Sequence, residues 1–231
     1  MRRLAVIPAR GGSKRIPRKN INLFLGRPII EYSIEAALQS GIFDEVMVST
    51  DDEEIARIAE KAGAKVPFFR SKEAADDMAT TARVLEEVIT SYAEIGEHFD
   101  ALCCIYPTAP FVTAQAIQTA MEMLEKEQAD ACIPIVKFSF PPQRCVVVQE
   151  GRLTPKWPEN MNMRSQDLEP FYHDCGQFYC LNVTSFMAQK ALWMKDVVPY
   201  IQDELNVQDI DTLKDWEIAE MKYRILRGIK E

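Results

Sequence analysis

Short apolar runs alternate with amphipathic stretches along most of the chain. Residues 4–8 read as a first buried strand. A helix is expected from about Pro28, a residue suited to a first helical position. Ile30, Ile34, Ala37 and Leu38 share one of its faces, and Gly41 ends it. Residues 45–49 form the next strand, and Asp51 or Asp52 can cap a helix running through Ile55, Ile58 and Ala59 to Gly63. A short third strand is expected at 66–69. The pattern then repeats as a helix at 81–95, a strand at 101–106, a helix at 114–127 and a strand at 131–136. Strands alternating with helices of this length predict crossover units, and so an α/β fold of three layers with a mostly parallel, Rossmann-like sheet. Ligands in such sheets bind beyond the carboxyl ends of the strands, which puts the loops after Ile7, Ser49, Phe69 and Tyr106 on one edge.

From 138 to 171 the alternation breaks. Pro141-Pro142, a hairpin signal at Glu150-Gly151 and a polar, Met-rich stretch at 160–164 read as an insertion into a single domain spanning 1–231. A strand at 177–181 and an amphipathic helix at 212–226 return to the core.

Charge changes the picture more by its placement than by its sum. The net charge is -8, yet eight bases precede the first acid, Glu31: Arg2, Arg3, Arg10, Lys14, Arg15, Arg18, Lys19 and Arg27. An acidic chain that opens this way is expected to hold an anion there. The overall acidity argues against nucleic acid as a partner, because such proteins present a broad basic face. A compact anion such as a nucleoside triphosphate fits better. No apolar run approaches the roughly 20 residues of a membrane span, and the N-terminus lacks a secretory cleavage pattern. The six cysteines show no CxxC spacing. A soluble cytoplasmic protein with reduced thiols is therefore expected. Two histidines leave little scope for a His-rich zinc site.

The strongest chemical signal is the run Pro8-Ala9-Arg10-Gly11-Gly12-Ser13-Lys14-Arg15-Ile16-Pro17-Arg18-Lys19-Asn20. It follows a strand, yet the next helix waits until about Pro28, and connections this long tend to be functional. Gly11 and Gly12 allow close backbone approach to phosphate, and successive amides can form an anion-binding nest. Arg10, Lys14, Arg18 and Lys19 supply charge, the arginines as bidentate forks. Neither the GxGxxG fingerprint nor the GxxxxGK[ST] loop is present. A solvated basic turn is the plainer reading, and glycines beside so many cations after a buried strand weigh against it. The second signal is Asn206-Val207-Gln208-Asp209-Ile210-Asp211-Thr212. Aspartates two apart in an extended segment face the same side and can share one hard cation, Mg²⁺ typically taking one or two carboxylates plus phosphate oxygens. The plainer alternative makes Asp211 or Thr212 the cap of the last helix. Together, a basic glycine loop and a carboxylate pair suit nucleotidyl transfer.

The opening run resembles the signature of the CMP-sugar synthetases. The likeness extends through Val48-Ser49-Thr50-Asp51-Asp52, Arg70-Ser71, Tyr106-Pro107-Thr108-Ala109-Pro110, Gly176-Gln177-Phe178-Tyr179 and Asp209-Ile210-Asp211-Thr212, in family order. The resemblance implies a nucleotidyltransferase fold with a dimerisation insertion, CTP and a nine-carbon sugar acid as substrates, and Mg²⁺ as cofactor. The loop containing Ala9, Arg10, Gly11, Gly12, Ser13, Lys14, Arg18, Lys19 and Asn20 would wrap the triphosphate. Arg70 would meet cytosine or ribose, Thr80 or Thr81 the base, and Asp209 and Asp211 the metal. Pro107, Thr108, Gln177 and Tyr179 would line the substrate site. Arg144 and Arg164 would reach in from the partner subunit of a homodimer. Members acting on sialic acid commonly carry Gln where this chain has Tyr106, Ser where it has Ala109 and Asn where it has Cys175. The run around Phe171 to Tyr179 is similar instead to the pseudaminic acid branch.

The implied reaction is attack of the sugar's anomeric hydroxyl on the α-phosphorus of CTP, with pyrophosphate leaving toward Arg10, Lys14 and Arg18. The same transfer to sialic, legionaminic or 3-deoxy-manno-octulosonic acid is the near alternative. An NAD-dependent oxidoreductase lacks its fingerprint, and a non-catalytic CTP-binding regulator would release no pyrophosphate. His173 reads equally as a substrate contact or a structural residue, Cys175 as a space-filler rather than a nucleophile, and Trp157 and Trp193 as packing residues.

Overall fold

A computed structural model describes residues 1–76 and 79–229. In chain order its strands and helices are β1 (Arg3–Pro8), β2 (Leu23–Phe24), β3 (Arg27–Pro28), α1 (Ile30–Ser40), β4 (Glu45–Ser49), α2 (Glu53–Lys61), α3 (Lys72–Ala75), α4 (Thr81–Glu94), β5 (Ala101–Ile105), α5 (Ala114–Glu127), β6 (Ala131–Lys137), β7 (Val146–Gln149), β8 (Arg152–Pro155), β9 (Tyr172–Asp174), β10 (Phe178–Asn182), α6 (Val183–Gln189), β11 (Val197–Gln202) and α7 (Leu213–Arg227).

The main sheet runs β11-β6-β10-β5-β1-β4, with β9 also on β6. Strands β4, β1, β5, β6 and β11 share one direction, while β10 runs against β5 and β6. Both β9 and β10 lie antiparallel along β6, separated by a bend at Gly176, whose φ of 62° suits glycine.

Period-two alternation on β1 splits the core. Ala5 and Ile7 face a layer built from α1, α2 and α5, where Ile34, Ile55 and Ile117 are fully or almost fully buried. Leu4 and Val6 face the other layer, where Leu85 and Val88 of α4 meet Phe186 of α6. A third cluster forms away from the sheet: Ile16 and Phe24, before α1, pack with Ile210 and with Trp216 of α7. The last helix is thereby fastened to the glycine loop.

Three expectations change. Pro28 closes the β2–β3 hairpin opposite Leu23 instead of opening the helix, which starts at Ile30. Leu38 is 42% exposed and lies over Gly63, outside the buried face. Residues 66–69 follow β4 without becoming a strand. Only Lys65 bridges Met47, because Pro67 has no N–H to extend the ladder.

The segment 138–171 holds 3-10 turns and the exposed β7–β8 hairpin, with Glu150 and Gly151 at its tip in left-handed conformations. All six cysteines are free thiols. Among the described residues no helix is long and apolar enough to cross a membrane.

Candidate functional site

A cavity of about 510 Å³ opens at the carboxyl ends of β1 and β5. Arg10, Ser13, Lys14, Arg15, Lys19, Asn20, Arg70, Thr81, Tyr106, Pro107 and Thr108 line it. The expected convergence of the loops after Ile7, Phe69 and Tyr106 is therefore present in the fold.

The glycine loop is held from several sides. Ala9 is fully buried and extends the β1–β4 ladder through its N–H to Ser49 O at 2.9 Å. The Gly11 N–H donates to Asp51 Oδ1 at 2.9 Å. A Cβ on Gly11 would stand 2.8 Å from Asp52 Oδ2, so a side chain there would have to push the Asp52 carboxylate aside. Gly12 faces open space, with no protein atom within 4 Å of where a Cβ would stand. Asn20, 7% exposed, donates from Nδ2 to Arg10 O at 2.9 Å and closes the loop on itself.

Arg18 takes a different place from the one expected. Its backbone is left-handed, with φ of 55°, and its guanidinium grips Asp52 and Glu54 at the start of α2. It is a clasp on the loop and does not line the cavity; Arg15, from the same basic run, lines it instead. Asp52 also caps α2, accepting from the Glu54 and Ile55 amides. Hydrogen bonding from Arg18, helped by those amides, holds the Asp52 carboxyl down at about 2. A carboxyl whose folded pKa is depressed contributes fully above its unfolded value near 4 and loses that contribution as pH falls through 2. Asp52→Asn keeps the cap and removes the charge. It is expected to unfold about 2–4 °C below the parent at pH 7 by calorimetry, for a loss of about 1 kcal/mol, with the gap narrowing between pH 4 and pH 2.

Arg70 is the unusual cation. It is 8% exposed, donates from Nε to Ser49 Oγ at 3.1 Å and from Nη2 to Ser49 O at 2.6 Å, and lines the cavity. Burial lowers its pKa, the carboxylates of Asp51 and Glu87 opposing at longer range. A buried guanidinium held by a serine and facing a cavity stabilises an incoming anion or carbonyl.

Asp209 and Asp211 stand at the loop's other flank. Ile210 between them is buried beside Ile16. Thr212 caps α7, and Asp215 returns the bond in a capping box, so Asp211 is left out of the cap. Asp211 pairs with Arg15 at 2.8 Å and lies 3.6 Å from Lys19 Nζ, which also donates to Ile210 O at 2.7 Å. Desolvation, then the negative charge of Asp211, raises the Asp209 carboxyl, although part of that residue is open to solvent. Two carboxylates that repel each other beside a triphosphate-sized cavity are a donor set suited to a divalent cation completed by phosphate oxygens. Among the described residues no group of three or more His, Cys, Asp or Glu offers a self-sufficient metal site.

Other expected residues fall outside the cavity. Thr80 turns its hydroxyl back to cap α4 by accepting from the Arg83 amide, whereas Thr81 lines the cavity and touches the Tyr106 hydroxyl at 3.1 Å. Gln177, 1% exposed, is held within the protein between Asn206 O and Gln202, each at 2.7 Å. Tyr179 is buried behind Tyr106 and donates to Asp174 Oδ2 at 2.5 Å. Arg144 stacks over Phe140 and Arg164 pairs with Asp167, both in the 138–171 segment. Cys175 is buried, and burial pushes its thiol to about 12, so it is an inert filler. His173 rests on Phe138. Trp157 and Trp193 are 39% and 58% exposed and do not serve this chain's core.

Sequence reasoning missed Arg15, Ala79 and Val84 as lining residues, and Asp51 and Asp52 as the loop's supports. The proximity of 51–52 to the carboxyl end of β4 was the available signal.

The family model described as "Cytidylyltransferase" matches residues 4–177. The chain is 40% identical over 226 residues to the pseudaminic acid cytidylyltransferase of Campylobacter jejuni, covering 97% of each. It is 33% identical over 228 residues to the CMP-N,N'-diacetyllegionaminic acid synthase of Legionella pneumophila, covering 95% of each. In fold it is similar to a CMP:2-keto-3-deoxy-manno-octonic acid synthetase solved with CTP, with a TM-score of 0.69 at 17% identity over 99% of this chain and 100% of that one. The clasped glycine loop at the end of β1 lies inside the matched region, and the chain belongs to the cytidylyltransferase family of nucleotidyltransferases.

Proposed function

We propose that the protein transfers CMP from CTP to the anomeric hydroxyl of a nonulosonic acid, pseudaminic acid first, and releases pyrophosphate. The observation that carries this reading is the 40% identity spanning 97% of both chains to a pseudaminic acid cytidylyltransferase. The cavity supports it. Arg10, Lys14, Arg15 and Lys19 offer cations to a triphosphate, and Arg70, Thr81 and Tyr106 in the same lining offer donors and an aromatic ring to a nucleoside.

The attacking hydroxyl oxygen forms a bond to the α-phosphorus as the bond from that phosphorus to the β-bridging oxygen breaks. The hydroxyl proton passes to solvent, and pyrophosphate leaves toward the cationic loop. Gly11 and Asn20 keep the loop amides and the Arg10 backbone in place, so the site is organised before the substrate arrives. Asp209 and Asp211 would hold Mg²⁺, which supplies charge neutralisation at phosphate oxygens when bound. Lys19 and Arg15, now paired with Asp211, are positioned to turn to phosphate instead.

The enzyme works as a cytoplasmic homodimer. Its free thiols support the first term, and the exposed Phe140, Val148, Leu153 and Trp157 of the 138–171 segment support the second. In this arrangement Arg144 and Arg164 approach the partner's cavity. A sedimenting species of one chain's mass would remove the dimer.

The deciding experiment is pyrophosphate release from CTP and Mg²⁺ with pseudaminic, legionaminic, sialic and 3-deoxy-manno-octulosonic acids. Release with pseudaminic acid above the others is expected. Preference for another acid reassigns the substrate, and silence across the panel in protein that binds CTP overturns the transferase reading.

A further inference from the structure

Two separate segments supply the cavity wall around Arg70, and one side chain outside the lining ties them together. Arg70 comes from the chain that follows β4, while Thr81 and Val84 come from the first turns of α4. Glu87 stands three residues beyond Val84 on the same face of that helix, half-buried and behind the lining. Both of its carboxylate oxygens are engaged by Ser71. Oε1 accepts from the Ser71 N–H at 2.9 Å, and Oε2 accepts from the Ser71 hydroxyl.

The clamp bears directly on Arg70. The Arg70 N–H donates to Thr50 O at 2.8 Å, and the next N–H along the chain donates to Glu87, so the backbone is pinned on both sides of the Arg70 α-carbon. The guanidinium itself donates to Ser49 Oγ and Ser49 O. Of these bonds, those to Ser49 and Thr50 refer Arg70 to the end of β4. The Glu87 clamp refers it to α4, and so to Thr81 and Val84. Support of α3 is the plainer role, since Ser71 Oγ caps that helix by accepting from the Ala74 amide at 3.1 Å. Capping needs only a lone pair of Ser71, however, whereas Glu87 takes its proton and its amide. The Glu87 charge also favours the buried Arg70 cation.

We propose that Glu87 is a positioning residue for Arg70: by clamping Ser71 it holds the guanidinium in register with the α4 side of the cavity before the nucleotide arrives. The inference rests on the nucleotide reading above and adds to it a residue outside the cavity lining. A cation already in place spares the ordering that binding would otherwise require of a long side chain.

The test is a double-mutant cycle on CTP binding, because a structural role and a role through Arg70 give different couplings. Parent, Glu87→Ala, Arg70→Met and the double variant are compared by calorimetry with CTP and Mg²⁺, without sugar acid. In the parent background Glu87→Ala is expected to weaken CTP about tenfold. In the Arg70→Met background the same change is expected to cost less than about twofold, since no guanidinium is left to place. Equal losses in both backgrounds overturn the proposal and leave Glu87 a support of the fold.

Two milder variants separate reach from charge. Glu87→Gln keeps an oxygen for the Ser71 N–H and loses the charge, whereas Glu87→Asp keeps the charge and falls one methylene short. The clamp predicts that Glu87→Gln stays within about threefold of the parent and that Glu87→Asp behaves like Glu87→Ala. The reverse order would make Glu87 a charge acting through space and overturn the clamp. If Glu87→Ala unfolds, Glu87→Asp replaces it in the cycle and is read the same way. Arg70→Met binding CTP as tightly as the parent would remove the Arg70 contact and this inference with it. A parent that binds no CTP would remove the nucleotide reading itself, whereas additive losses in a protein that binds CTP through Arg70 remove only the role of Glu87.

Discussion

Asp211→Ala is expected to lower turnover on the order of a thousandfold while CTP binding holds or tightens, because the two effects of this carboxylate oppose each other. Half of the proposed metal donor set disappears, and several kcal/mol of charge stabilisation at the reacting phosphate go with it, each 1.36 kcal/mol being tenfold in rate. The same substitution releases Arg15 and Lys19, which pair with Asp211 at 2.8 and 3.6 Å and both line the cavity. One negative charge fewer beside four cations also favours a triphosphate. The fold should be spared, since the cap of α7 belongs to Thr212 and Asp215 and the buried anchor of the segment is Ile210. The check is a steady-state series giving kcat and the KM for CTP separately, with Mg²⁺ varied. A variant of full activity removes the metal from Asp211. A variant whose KM for CTP rises in step with its fall in kcat would make Asp211 a nucleotide contact.

Much of this fold could be read from the sequence because its central strands and helices carry strong periods. Strand β4 falls at the residues expected, as does α5, whose apolar positions recur on one face. The strands that were missed lie where that signal fades. Strand β11 is an edge strand with alternate residues half-buried or exposed and Pro199 within it, so it reads as a loop. Strand β9 has three residues. The reversed direction of β10 leaves no trace in hydropathy, because a strand buried on both faces looks the same run either way.

The site was legible as a set of residue types and less so as an arrangement. The basic run announced an anion loop, yet which cations face the cavity depends on contacts from distant segments. Arg18 is drawn away because Asp52 and Glu54 stand at the start of α2, and Arg15 is placed instead because Asp211 arrives from the far end of the chain. Thr80 and Thr81 are indistinguishable in sequence, and the start of α4 decides between them by using one hydroxyl as its cap. Gln177 and Tyr179 are in place but face partners inside the sheet, Gln202 and Asp174.

Arg70→Met is the variant in which stability and function should separate most clearly. Arg70 is 8% exposed and bonds only Ser49 among the described hydrogen-bond partners, so few neighbours stabilise its charge. Replacing a buried cation by an apolar chain of similar length removes a desolvation penalty. It also leaves Ser49 O without one donor, which costs about 1–3 kcal/mol. These terms oppose each other, and the unfolding temperature is expected to stay within about 5 °C of the parent, since 1 kcal/mol moves a chain of this size by roughly 2–4 °C. Binding has no such compensation. A nucleotide that meets the guanidinium in a partly dehydrated cavity loses a charge-assisted contact worth about 2–4 kcal/mol, or roughly 30- to 1000-fold in kcat/KM for CTP. The pair of measurements is a thermal melt and a CTP titration of initial rate at saturating sugar acid. A large fall in melting temperature with kcat/KM unchanged would assign Arg70 to the fold. The opposite pattern would identify it as a cation retained at the expense of stability, because the cavity it faces is where the nucleotide binds.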